Sequence, residues 1–303
     1  MQVWGNQATD KSEMLPLALD DIGFTSGVVI VDRLRTHAGQ LRDLPQHMTR
    51  FQQSSRAVGI QLPNSHIIQE RAEACAEQAR PKYAGRDFHL ILVATPGRIS
   101  DPSHQPTLLM YTQAIAWQRL AHWYRPGQTL VTSSHRNVPP VCWSPKIKTR
   151  SRLHYYLADQ EAISSSGDPY AAGLLLDEQG FLTETSSANV LLIEGQQLLS
   201  PRRPTILDGV SLSRTLHLAQ QNDIAVSYDD LSPQRAKRAD AILLCGSSGC
   251  IWPAARLDDR TFTANRPNAV AERLIEAWKS DIEVDFVAQA EACAKDDADH
   301  RGG

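Results

Sequence analysis

The sequence predicts a mixed α/β fold arranged in two domains. Two observations carry this expectation. The chain has 303 residues, more than the roughly 100–200 of one ordinary domain. Strand-like and helix-like runs also intermix without the regular alternation of a doubly wound sheet. In addition, no GxGxxG and no Walker loop marks a nucleotide-binding βαβ unit.

The elements follow in order. Residues 27–35 (GVVIVDRLR) are rich in β-branched side chains and read as a strand, and the HAGQ turn at 37–40 makes 27–44 a hairpin. Helices are predicted over 47–59 and 64–79, the second ended by Pro81. Strands are predicted at 88–94 and within 106–114. Residues 117–130 lack a steady period, and the domain boundary is placed there. A strand at 129–132, a loop at 133–147 and a helix over 149–165 come next. Strands at 173–176 and 188–193 flank the turn signature Asp177-Glu178-Gln179-Gly180. A helix at 211–222, a strand at 241–245 and a helix near 267–279 complete the pattern. The expected organisation is a smaller N-terminal domain over 1–122, a larger one over 123–285 and a disordered tail over 286–303.

Composition narrows the class. The chain is 42% apolar and 21% charged, as globular proteins are. A net charge of −3 gives no basic excess that would call for nucleic acid or an anionic membrane. No apolar run approaches the ~18 residues of a membrane span, and the start MQVWGNQ carries no secretory pattern. The five cysteines are scattered, with no CxxC pair. Neither a disulfide framework nor a metal site is expected, and the cytoplasm is the expected compartment.

Four segments carry residue types suited to chemistry. Lys148 sits in SPKIKTRSRL beside Lys146, Arg150 and Arg152. A desolvated lysine near other cations loses its proton readily and becomes a nucleophile for aldehydes. Glu184 lies in a polar run, Thr183–Asn189, between two apolar strands. Asp208-Gly209-Val210-Ser211 opens a predicted helix, and Gly246-Ser247-Ser248-Gly249 follows a buried-looking strand. Both offer backbone N–H groups to an anion. Arg50, three residues after His47, can grip a phosphate with its fork of donors. Taken singly, each has a plain reading as a surface charge, a capped helix or a loop.

In this order, the segments resemble the fold type IV enzymes that use pyridoxal 5′-phosphate (PLP): branched-chain aminotransferases, D-amino acid aminotransferases and aminodeoxychorismate lyases. The likeness spans roughly residues 20–260. It rests on His-x-x-Arg at 47–50, IKTRSRL at 147–153 with QEA at 160–162, LLLDEQGFLTETSSANV at 174–190, LDGVS at 207–211 and the run from Ala239 to Pro253. The resemblance implies a two-domain D-amino acid aminotransferase-like fold with the cofactor between the domains, and a homodimer. It gives Lys148 the Schiff base and places that lysine in the larger domain. It assigns Glu184 to the pyridine nitrogen, and Arg50, Val210, Ser211, Gly246 and Ser247 to the phosphate, with Asn189 completing the Glu184 motif.

The implied activity is transfer of an amino group between an amino acid and a 2-oxo acid. Alternatives are a lyase of the aminodeoxychorismate type and a non-catalytic ligand-binding relative. Departures from the family pattern fall where substrate choice is made. Val31 replaces an aromatic residue, Ser151 replaces asparagine, and Cys250 and Trp252 are uncommon in the last motif. Val31, Arg33 and Arg35 share one strand face. Arg33, Arg35 and Arg98 are candidates for binding a substrate carboxylate.

Overall fold

The computed structural model describes residues 17–101, 103, 105–262 and 268–300. Its contacts divide the chain into two compact units, Met1–Ile115 with Ile147–Ser151, and Ala116–Lys146 with Arg152–Gly303.

The first unit contains α1 (Ile22–Thr25), β1 (Ile30–His37), β2 (Gln40–Leu41), α2 (Leu44–Ala57), α3 (Ser65–Ala79), β3 (Phe88–Thr95) and β4 (Thr107–Ala114). The strands form an antiparallel sheet in the order β2-β1-β3-β4. Side chains of a strand alternate between faces, and β1 uses both. Ile30 and Leu34 join Leu90, Leu92, Met48 and Phe51 in one core. Val31 packs with Ile91 and Val93 on the other face. Asp32 therefore falls on the side that α2 covers, whereas Arg33 and Arg35 point the opposite way.

The second unit contains α4 (Trp117–His122), β5 (Gln128–Arg136), α5 (Leu153–Ser166), β6 (Ala172–Leu176), β7 (Asn189–Glu194), β8 (Gln197–Pro201) and α6 (Val210–Gln221). It continues with β9 (Ala225–Asp229), α7 (Pro233–Arg238), β10 (Ala241–Gly246), β11 (Cys250–Leu257), β12 (Arg260–Thr261), α8 (Ala269–Ile282) and α9 (Phe286–Asp299). Its sheet runs β6-β5-β11-β10-β7-β8-β9, with β12 paired to β11. The central strands are apolar throughout: Val190, Leu191, Leu192 and Ile193 of β7 are all 0% exposed, the mark of strands covered on both faces. Helix α5 lies close to β6 because Ala158 and Gly173 are small. A Cβ on Gly173 would sit 2.6 Å from the Ala158 backbone.

Two features of this arrangement position functional residues. Asn189 starts β7 opposite Cys245, near the end of β10, so the Glu184 segment and the 246–249 turn meet at one end of the sheet. Helix α6 begins after the return from β8, and its N-cap Gly209 approaches Asn189 so closely that a Cβ would lie 2.1 Å from Asn189 Oδ1.

Three expectations on organisation change. The contact boundary falls after Ile115 rather than 122, because Trp117 and Leu120 of α4 are buried and α4 packs with α9. Lys148 groups with the N-terminal unit, since Ile147–Ser151 runs beside β1: Val31 N–H donates to the Lys148 carbonyl at 3.0 Å and Arg150 N–H to that of Val29 at 2.8 Å. That pairing also delays the start of α5 from 149 to Leu153. Residues 286–299 of the expected disordered tail form α9, capped by Asp285 and anchored by Phe286 and Ala290, both 0% exposed. Residues 301–303 lie outside the described residues, as does the MQVWGNQ start. Among the described residues, no helix is long and apolar enough to cross a membrane, and no cluster of His, Cys, Asp or Glu is arranged to hold a metal.

Candidate active site

In the first unit, the site is built around Asp32. This carboxylate is 0% exposed. Arg50 grips it with a two-pronged contact, Nε to Oδ2 at 3.0 Å and Nη2 to Oδ1 at 2.7 Å. His47 Nδ1 lies 2.7 Å from Oδ1. Burial pushes the acid up, yet Arg50 and His47 outweigh it and bring Asp32 below the usual carboxylate range. Burial lowers His47 against the pull of Asp32. An ionised carboxylate only accepts, so the Nδ1 proton of His47 is the one donated to it. Helix α2 makes this possible, because residues three apart share a face. Sequence reasoning selects His47 and Arg50 and misses Asp32.

The lysine segment is fixed through its backbone. Lys148 N–H donates to Ser54 Oγ at 3.1 Å, one turn beyond Arg50 on α2. Thr149 Oγ1 donates to the Val29 carbonyl at 2.9 Å and Ser151 Oγ to that of Gly27 at 2.6 Å. The serine that departs from the family pattern thus ties the lysine segment to the approach of β1. Ile147 packs against the α2 core.

Across the sheet, Arg35 pairs in register with His89, and Arg33 with Ile91. Burial, then the charges of Arg33 and Arg35, push His89 well below the usual imidazole range. His89 Nε2 is buried with no hydrogen-bond partner among the described residues. Val31, Arg33, Arg35 and His89 therefore share one face of the sheet, of which the sequence indicates all but His89. Arg98 sits apart, donating from Nε to Asp20 Oδ1 at 2.9 Å on an exposed loop.

In the second unit, the site is built around Glu184, 5% exposed. Tyr155 Oη donates to Oε1 at 2.7 Å. Asn189 Nδ2 and the backbone N–H of Leu207 reach Oε2 at 3.1 and 3.2 Å. Asn189 also donates to the Leu207 carbonyl at 3.1 Å. The segment itself is locked by Thr183 Oγ1 on the Leu175 carbonyl and Thr185 Oγ1 on that of Ala188. Val210 and Ser211 form the buried first turn of α6, whose N-cap Gly209 has no side chain to cap it. The first N–H groups of such a helix suit an anion. Gly246 is pressed against the Glu184 segment, where a Cβ would lie 2.6 Å from the Ser187 carbonyl. Ser247 follows in the same turn. In this unit Asn189 and Tyr155 meet Glu184 directly, the start of α6 at Gly209 closes on Asn189, and Gly246 closes on Ser187.

Comparison with known proteins agrees with these motifs. Residues 30–257 match the family described as amino-transferase class IV. A branched-chain-amino-acid aminotransferase-like protein 2 of Arabidopsis thaliana is 23% identical over 91% of this chain and 49% of its own length. The chain thus spans about half of that relative. Among solved structures, a T.th. branched-chain amino acid aminotransferase complexed with N-(5′-phosphopyridoxyl)-L-glutamate superposes with a TM-score of 0.78 at 18% identity, covering 92% of this chain and 93% of its own. A putative 4-amino-4-deoxychorismate lyase from Legionella pneumophila gives 0.75 at 23% identity, covering 89% and 97%. The shared architecture is the fold type IV arrangement expected from the motifs.

PLP requires an anion site, an acceptor for its ring nitrogen and an amine for its aldehyde. The donor set fits. A helix N-terminus and a glycine-serine turn supply N–H groups in the second unit. Glu184 supplies a buried acceptor oriented through both oxygens. Arg50 and Lys148 supply the guanidinium and the amine in the first unit.

Proposed function

We propose that this chain, which belongs to the class IV aminotransferase family and uses PLP, is a transaminase that moves an amino group between an amino acid and a 2-oxo acid. The observation that carries this reading is Glu184, a buried carboxylate held by a phenol, an amide and a backbone N–H. These donors orient the carboxylate without neutralising it, which suits a partner for a protonated ring nitrogen. When bound, PLP supplies an electron-withdrawing ring into which charge developing at the substrate Cα delocalises.

The residues then take distinct roles. Lys148 Nζ would hold the cofactor aldehyde and would move the proton at the substrate Cα. Arg50, Val210, Ser211, Gly246 and Ser247 hold the phosphate, and Asn189 orients Glu184. Val31, Arg33 and Arg35 border the substrate, with the two arginines receiving a carboxylate. Arg98 is a further carboxylate candidate, although its present partner is Asp20. The working form is a homodimer, as the family resemblance implies, and the scattered cysteines suit a cytoplasmic one.

A lyase is the second reading, favoured by the likeness to the Legionella protein. Dependence of product formation on a keto acid separates the two. The test of the primary reading is the visible spectrum with added PLP, before and after borohydride, followed by peptide mapping. A band that borohydride fixes onto Lys148 supports it. Reduction onto another lysine overturns the assignment. Lys148→Ala is expected to lose all turnover while remaining folded; retained activity would sink the role of this lysine.

A further inference from the structure

We propose that Tyr155 is a positioning residue that keeps the shared proton on the cofactor ring nitrogen by holding Glu184 in its weakly basic, ionised form. The inference rests on the reading of Glu184 as the ring-nitrogen partner. Tyr155 lies in the first turn of α5 and reaches Glu184 Oε1 with its hydroxyl at 2.7 Å, the shortest of the three contacts described on that carboxylate.

The ring of Tyr155 is itself held. The Arg152 guanidinium stacks over it at 4.4 Å from the centroid, within the range of a cation–π contact. Arg152 is fixed in turn by donating from Nη2 to the Ser186 carbonyl. On the neighbouring position, the His154 ring lies 4.1 Å from that of Tyr155. Residues 184 and 186 are thus engaged from the start of α5 at two points, one through Tyr155 and one through Arg152. Burial, then the Glu184 charge, push the phenol well above its usual range, so Tyr155 stays a donor across working pH.

The consequence is chemical. A hydrogen bond to a carboxylate favours its charged form and lowers its basicity. In a ring N–H···carboxylate pair, that keeps the proton on nitrogen. Without the phenol, Glu184 becomes more basic, and the proton leaves the ring nitrogen for Oε1 or Oε2 while no other bond changes. The ring then carries less positive charge and withdraws electrons less.

The experiment is ¹⁵N NMR of the full-length protein loaded with PLP labelled at the ring nitrogen. It compares wild type, Tyr155→Phe, Glu184→Gln and protein carrying fluorotyrosine at 155. The expected result is a Tyr155→Phe resonance moved toward unprotonated pyridine, with Glu184→Gln moved the same way and further. PLP affinity should stay within about two-fold in Tyr155→Phe, and kcat should fall by about ten-fold, the scale of one lost hydrogen bond. Fluorotyrosine, a stronger donor, should keep the resonance at or beyond the wild-type position.

If Glu184→Gln moves the resonance and Tyr155→Phe does not, the role of Tyr155 is overturned while that of Glu184 stands. If neither moves it, Glu184 is not the partner and the inference falls with that reading. Should Tyr155→Phe fail to fold, the fluorotyrosine protein decides: a resonance shifted toward unprotonated pyridine overturns the inference.

Discussion

Asp32 in the first unit and Glu184 in the second are both carboxylates withdrawn from water, 0% and 5% exposed, and they are met by different chemistry. Asp32 faces a guanidinium and an imidazole. Glu184 faces a phenol, a side-chain amide and a backbone N–H. Burying a charge is costly, and the interior offsets that cost only through good geometry and satisfied hydrogen bonds. At Asp32 an opposite charge supplies the compensation, which locks Arg50 in place before any ligand arrives. At Glu184 the donors described spread the charge and fix its direction. A guanidinium set in advance suits a phosphate, and an oriented anion suits a cationic ring N–H.

The comparison breaks most visibly in activity. Glu184→Gln keeps the shape and removes the charge. We expect cofactor binding to persist and turnover to fall by ~10²–10³-fold, the scale of losing a preorganised electrostatic group. Its unfolding free energy should drop by only about 1–2 kcal/mol, since an amide can still accept some of the donors. An unchanged turnover rate would remove Glu184 from the ring nitrogen.

Asp32→Ala should show the reverse balance in the folded protein itself. It strands a buried guanidinium, for which about 3–5 kcal/mol of stability is expected to be lost. Urea unfolding of the two variants side by side measures the contrast. Equal losses at the two sites would show that the chemistry of the donors does not distinguish them.

How far the sequence reveals these two sites follows the same contrast. Glu184 stands out because Thr183–Asn189 interrupts two apolar runs, a local signal that needs no distant partner. The loops at 207–211 and 246–249 are equally legible, since glycine and serine beside a helix or strand end mark anion sites locally. Asp32 gives no such signal. It occupies one position of a β-branched strand, and its partners lie 15 and 18 residues away. That pairing depends on β1 and α2 packing together. Tyr155 is hidden for the same reason, 29 residues from Glu184. Among the elements, β11 escapes notice because Pro253 and Cys250 obscure its strand pattern, and Cys250 adopts a left-handed φ of 57°. The start of α5 is misplaced because Thr149–Ser151 has helix-compatible residues, while its backbone is claimed by the approach to β1.

Acid sharpens the comparison further. Asp32 has its folded-state pKa below the unfolded one. As pH falls below about 4, the unfolded chain takes up a proton that the folded chain refuses. The stability from this site is complete above that pH and is lost progressively on acidification. Asp32→Asn should therefore lower stability at pH 7 and flatten its decline between pH 5 and 3, as followed by urea midpoints. His154 acts at higher pH. Burial, then Arg152, lower it to about 4, so its contribution fades as pH drops from about 6.5 through 4. His154→Asn should remove that shallower slope, and an unchanged profile would show that its ring is not desolvated as described.

The smallest effect is expected at the pair that most resembles Asp32–Arg50 on paper. Arg98 also binds an aspartate through Nε, at 2.9 Å from Asp20 Oδ1, and Ser100 supports the same carboxylate. The hydrogen bonds from Ser100 and Arg98 hold Asp20 down at about 2. This contact is open to solvent, with the Arg98 side chain 57% exposed. Water screens such pairs and competes for their donors, so exposed ion pairs contribute little. Arg98→Gln should leave the urea midpoint within error of wild type, whereas Arg50→Gln should lower it clearly. A substantial loss in Arg98→Gln would mean that the loop is covered in the working assembly. A raised KM with kcat unchanged would place Arg98 on the substrate carboxylate instead.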